Sequence, residues 1–243
     1  KETISDIPGT SWSSGGSLNE ARTGLGSSRN SSSNASVSAF GGFNASGAPL
    51  VARDETELYN GTSWTEVGDM NTAKTQGAAA GQSPYQNSIM FAGSPTLAVA
   101  ETWNGSSWTE VGDLNTGRRE LAGVGISSSN AMAISGQAAT DNVTNVESWD
   151  GSSWTETTEN NNGRFGSSPG IGTSTAMVFA GGQTVTAMVN HVESWNGSAW
   201  TEIANYPNSW DNPSNAGTST AAIYAGGFGG PGGRGGDSGF KTA

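Results

Sequence analysis

The chain has 243 residues, a formal net charge of −11, 13% charged residues, a single histidine and no cysteine. Without cysteine there is no disulfide framework, no thiol nucleophile and no thiolate zinc site. The acidic balance argues against a nucleic-acid partner, whose phosphates must be neutralised by Lys and Arg, and against an anionic membrane surface.

The sequence also lacks a run of about 18 apolar residues that could span a bilayer. The opening residues show no basic-then-apolar stretch, so a signal peptide is expected to be absent or already removed. Nine tryptophans in a chain with 37 glycines speak for an ordered domain of short elements rather than for disorder.

One string recurs along the chain. Residues 7–14 read Ile-Pro-Gly-Thr-Ser-Trp-Ser-Ser, and residues 59–66 sharpen this to Tyr-Asn-Gly-Thr-Ser-Trp-Thr-Glu. Residues 103–110, 149–156 and 195–202 repeat it as Trp-Asn-Gly-Ser-Ser-Trp-Thr-Glu, with Asp150 and Ala199 as the only changes. The second aromatics, Trp12, Trp64, Trp108, Trp154 and Trp200, are spaced by 52, 44, 46 and 46 residues. Five copies therefore fill residues 1–243 as a single domain.

Each copy predicts four short strands. Tiny residues such as those of 77–81 and 122–125 suit a first strand where strands converge on a narrow axis. An apolar run ending in small residues and Gly forms the second strand, at 39–42, 90–93, 133–136, 178–181 and 223–226. Asn-Gly or Asp-Gly between aromatic runs predicts a type I′ hairpin joining the third strand to the fourth. The expected fold is all-β, a five-bladed β-propeller of four-stranded blades. The blades are expected at about 15–69, 70–113, 114–158, 159–204 and 205–243. The last is completed by residues 1–14, so that N- and C-terminal strands share one blade and close the ring.

The double Gly after an apolar strand, the aromatic before a turn, the Trp after it and a basic residue opening the next copy resemble kelch repeats. The wording Glu-x-Trp-Asn-Gly-x-Ser-Trp-Thr-Glu followed by Asn-x-x-Arg is similar to kelch-like repeat proteins of marine bacteriophages. The resemblance covers nearly the whole chain. It implies an extracellular or virion-surface protein, a tail or fibre component, whose partner is a host-surface glycan or another virion protein. Fold alone assigns no activity.

Four features invite a site. The paired aromatics stand at one register throughout and are expected to pack between blades. Two rows of glutamate, Glu57, Glu101, Glu147, Glu193 and Glu66, Glu110, Glu156, Glu202, are expected to be solvated strand positions that keep the particle soluble. Basic residues fall ten positions after four tryptophans: Arg22, Lys74, Arg118 and Arg164, each three after an Asn. The kelch resemblance places them around one mouth of the channel, where they meet either an acidic ligand or loop carbonyls and neighbouring glutamates. The fifth copy has Trp210 at that position, with Tyr206 and Arg119 as companions, and this break in symmetry marks a candidate sugar pocket. A single histidine, no cysteine and inner strands of Gly, Ala and Ser give no reason to expect an enzyme, a metal or a cofactor.

Overall fold

In a computed structural model the protein is described over residues 15–28, 37–44, 51–82, 86–166, 169–205, 207–225, 227–229 and 241–242. Among these residues there is no helix, and antiparallel sheets succeed one another along the chain. The first sheet takes Gly26–Ser27, Val37–Phe40, Thr56–Tyr59 and Trp64–Glu66. The second takes Ala78–Gln82, Asn87–Gly93, Leu97–Trp103 and Trp108–Val111. Ala122–Ser127, Asn130–Ile134, Val146–Trp149 and Trp154–Glu156 form the third. Ile171–Thr173, Ala176–Ala180, Val192–Trp195 and Trp200–Ile203 form the fourth. The fifth has three described strands, Ser214–Thr218, Ala221–Ala225 and Lys241–Thr242. Within every sheet the strands pair in sequence order, an arrangement that fits the blade of a β-propeller. The expected closing strand at 1–14 lies outside the described residues.

The hairpins form where the sequence places them, but with a different turn. Among the central residues only the glycine takes a positive φ, between +96° and +98° in Gly61, Gly105, Gly151 and Gly197. The residue before it stays in the ordinary region and caps the turn with its side chain. Asn60 Oδ1 accepts from the backbone N–H of Thr62 and Ser63 at 2.9 and 3.0 Å, and Asp150 Oδ1 does the same for Ser152 and Ser153. Asn and Asp both supply that acceptor, which is why the fourth copy tolerates the exchange.

The first strands pack backbone against backbone. A Cβ added at Gly123 would lie 2.8 Å from the Ala78 Cβ and 3.1 Å from the Ala79 carbonyl, so a side chain there would force the second and third sheets apart. Further out, apolar clusters join each sheet to the next. Phe40 and Met90 with Trp103 and Trp108 join the first to the second. Phe91 and Ala133 with Trp149 and Trp154 join the second to the third. Ile134 and Phe179 with Trp195 and Trp200 join the third to the fourth, and Ala180 and Tyr224 join the fourth to the fifth. Three aromatic pairs are core, with ring centroids 5.2–5.5 Å apart in Trp103–Trp108, Trp149–Trp154 and Trp195–Trp200, whereas the Tyr59–Trp64 pair of the first sheet is only half-buried. Among the described residues no such cluster links the fifth sheet to the first. Ile223, on the far face of the fifth sheet, is 40% exposed, where Val178 in the same register of the fourth is 4% exposed.

Candidate functional site

The two glutamate rows sit opposite each other on paired strands: Glu57 with Glu66, Glu101 with Glu110, Glu147 with Glu156 and Glu193 with Glu202. Like charges in direct opposition destabilise a sheet. The structure corrects the expectation that both rows are solvated, because the third-strand row is fully buried while the fourth-strand row is exposed. What covers the buried row is the segment linking one sheet to the next, and that segment brings the neutralising cation.

Each repeat cation meets its buried glutamate: Arg22 with Glu57 at 2.6 Å, Lys74 with Glu101 at 2.6 Å, Arg118 with Glu147 at 3.0 Å and Arg164 with Glu193 at 2.8 Å. The carboxylates are satisfied on their other oxygen too. Asn71 donates to Glu101 from its backbone N–H and from Nδ2 at 2.7 and 2.9 Å, and Asn115 does so to Glu147 at 2.7 and 2.9 Å. Arg118 also donates to the carbonyls of Ala133 and Asn145, on the second strand and just ahead of the third, and the Arg164 guanidinium lies 4.0 Å over the Phe179 ring. Burial pushes Lys74, Arg118 and Arg164 below their ordinary pKa values, and the partner glutamates oppose that push. These four side chains are therefore enclosed clamps between linker and sheet. They do not line the cavity, and the placement around its mouth is corrected accordingly.

Two residues beyond each cation position, the chain turns through the left-handed region five times: Gly24, Gln76, Glu120, Gly166 and Asn212 have φ between +50° and +63°. Their backbones form a relay from sheet to sheet. Gln76 N–H donates to the Gly24 carbonyl, Glu120 to Gln76, Gly166 to Glu120 and Asn212 to Gly166, at 3.1, 2.7, 3.0 and 2.6 Å. The clamp holds the linker, the linker presents this residue, and the residue binds the next linker.

Inside the relay lies a cavity of about 1110 Å³. All five sheets or their leading linkers contribute to its wall, including Leu25, Phe43, Ile171 and Pro213 as apolar surface. Gln76, Glu120, Asn212 and Asn215 supply side-chain polarity. Gln76 Nε2 donates to Glu120 Oε1 at 2.7 Å. Burial, and then the charge of Asp211, hold the Glu120 carboxyl above its ordinary value, while Arg119 pulls it partly back. Burial likewise raises Asp211. Gly166 separates these two carboxylates along the relay, and a Cβ at Gly166 would run into the Asp211 side chain.

The remaining sequence candidates are dispersed. Trp210 is half-buried and opens the two-residue strand Trp210–Asp211, paired with Phe228–Gly229; it is absent from the cavity wall. Arg119 is half-buried and donates from Nε and Nη2 to Gln137 Oε1 at 3.0 and 2.7 Å. Tyr206 lies outside the described residues. Gln76, Glu120 and Asn212 escaped the sequence reading. Their signal was available: position two after the cation reads Gly, Gln, Glu, Gly, Asn, while the Asn and the cation ahead of it recur in four of the five copies. Among the described residues no cluster of His, Asp or Glu is arranged to hold a metal. No protein-family model and no curated protein matches this chain.

The raised Glu120 carboxyl sets a sign. A carboxyl that holds its proton longer in the folded state than in the unfolded one favours folding at low pH, and that contribution is lost as pH rises through the folded value. Glu120→Gln keeps the acceptor for Gln76 and removes the charge. Urea unfolding is expected to find this variant more stable than the parent at pH 7. The gain should vanish as pH falls below 4.5, the ordinary glutamate value. A variant less stable at pH 7 would show that the ionised group is favourably placed instead.

Proposed function

We propose that the protein is a non-enzymatic binding module, carried on a phage particle as a tail or fibre component and contacting polysaccharide on the host surface. The virion context rests on the likeness of the repeat wording to phage kelch-like proteins. The binding role rests on one observation: a cavity at the upper end of the size range for ligand sites, where the repeats cease to be identical. The frame that repeats is buried and paired. The side chains that vary, Gln76, Glu120 and Asn212, face the cavity, as expected of a scaffold that keeps its clamps and changes its contacts.

The ring is proposed to close through a fifth blade shared by both termini, and the contacts of residue 16 support this. Trp200 Nε1 donates to the carbonyl of Thr158, four residues after Trp154, at 3.0 Å. Trp64 Nε1 donates at 3.1 Å to the carbonyl of Gly16, four residues after Trp12. Residue 16 thus meets the first sheet as a linker leaving a preceding fourth strand meets the fourth sheet, and that strand would be residues 7–14. Lys241 pairs with Tyr224 in the register where Glu193 pairs with Phe179, and a fourth strand at 7–14 in the register of the fourth sheet would put Ser14 opposite Lys241. An open edge at 241–242 would favour the alternative function, a structural virion subunit or protein–protein scaffold that takes a strand from a neighbour and binds no glycan.

Two experiments test these readings. On an array of bacterial and algal polysaccharides the purified protein should bind saturably, and Gln76→Ala should weaken the best ligand by about tenfold, the cost of one buried polar contact. Silence across the array from folded protein would move the assignment to the structural subunit. Because the chain has no cysteine, the pair Ser14→Cys and Lys241→Cys reports closure directly. At micromolar concentration under mild oxidation it should form an intramolecular disulfide. Disulfide-linked dimers would indicate strand exchange between chains, and free thiols would contradict the register.

A further inference from the structure

The cavity of about 1110 Å³ takes shape at a mouth whose charge runs against the partner first suggested by the repeat cations. Apart from Lys241, six cations fall among the described residues, and all six are engaged. Four are enclosed with their glutamates. Arg53 pairs with Glu20 and Glu55 at 3.1 and 3.3 Å, and Arg119 is held by Gln137. None of the six lines the cavity wall. Among the described residues Glu120 is the one charge in the wall, and behind the wall Asp211 and, with the opposite sign, Arg119 act on it, which leaves a net negative charge.

The uncharged groups of the wall suit another chemistry. The amides of Gln76, Asn212 and Asn215 each combine donors with an acceptor, as adjacent hydroxyls require. Leu25, Phe43, Ile171 and Pro213 give apolar surface to the C–H faces of a ring. A cavity of this kind holds an amphipathic, hydroxyl-rich chain and leaves a sulfate or carboxylate facing like charge.

We infer that the cavity selects uncharged polysaccharide and rejects sulfated or uronic-acid polysaccharide. The inference rests on the binding-module reading and adds the ligand class. The rejection is electrostatic: it operates through ionised carboxylates at a cavity whose wall, among the described residues, carries no cationic side chain, and it weakens as salt screens them.

The probes are dextran and dextran sulfate of matched length, or whichever neutral glycan from the array binds best with its sulfated form. Affinities are measured at about 10 and about 150 mM salt, where screening is weak and ordinary respectively. The native protein is expected to bind the neutral chain at least about tenfold more tightly than the sulfated one at low salt, with the gap narrowing at the higher salt. The double variant Glu120→Gln, Asp211→Asn is expected to admit the sulfated chain, reducing the gap to about threefold or less. The salt comparison needs no variant and stands even if the double variant does not fold. Equal or tighter binding of the sulfated chain to native protein would overturn the inference and leave the binding module standing. Failure of both chains, and of every glycan on the array, would overturn the module reading with it.

Discussion

The buried cation–glutamate pair is the interaction on which the rest of the structure depends. Glutamates directly opposed on the third and fourth strands are a liability, and a buried unpaired carboxylate is a larger one. The repeat resolves both with one linker. The same few residues, Asn-x-x-Arg or Asn-x-x-Lys, deliver a cation to one carboxylate oxygen and Asn N–H groups to the other. A buried ion pair adds little net stability compared with an apolar substitute, yet removing one member leaves a stranded charge that costs about 3–5 kcal/mol. Its value here is positional. It dictates where each linker lies, and therefore where the residue two positions on enters the relay around the cavity.

This division of labour explains the pattern of constancy and change. Trp103, Trp149 and Trp195, with Glu101, Glu147 and Glu193, are repeated because they are buried in the same way each time. The first strands are small because neighbouring sheets approach closely there, as Gly123 does to Ala78. The left-handed residue carries no such burden beyond its backbone, so its side chain is free to differ between copies. At Gly24 and Gly166 the side chains of Thr75 and Asp211 take the space, and Gln76, Glu120 and Asn212 fill theirs with polar groups. An asymmetric wall thus arises from a nearly symmetric frame.

Much of the architecture was legible in the sequence. The Asn-Gly motif located each hairpin, the apolar runs located each second strand, and the spacing of Trp12, Trp64, Trp108, Trp154 and Trp200 set the number of repeats. The turn type was misjudged because Asn60 uses its side chain as a cap rather than its backbone at positive φ. The glutamate rows were misjudged because both recur at constant spacing and strand alternation puts opposed residues on the same face. Only the path of the linker, which is a tertiary fact, buries Glu147 and leaves Glu156 in solvent. The cations were read as open for the same reason. In the fifth copy Trp210 takes the cation register and Lys241 the glutamate register, so neither half of the clamp is kept there. That break was visible beforehand, but its neighbour Asn212 faces the cavity rather than Trp210 itself.

The most direct test of this account is a double-mutant cycle on Arg118 and Glu147, using Arg118→Leu, Glu147→Leu and the pair, read by urea unfolding. If the two side chains form one enclosed clamp, each single variant should lose about 3–5 kcal/mol, and the pair should lose far less than the sum, with a coupling of at least about 1.5 kcal/mol. Additive losses, with coupling below about 0.5 kcal/mol, would mean that the two charges act independently. The clamp would then no longer explain how the linkers are placed.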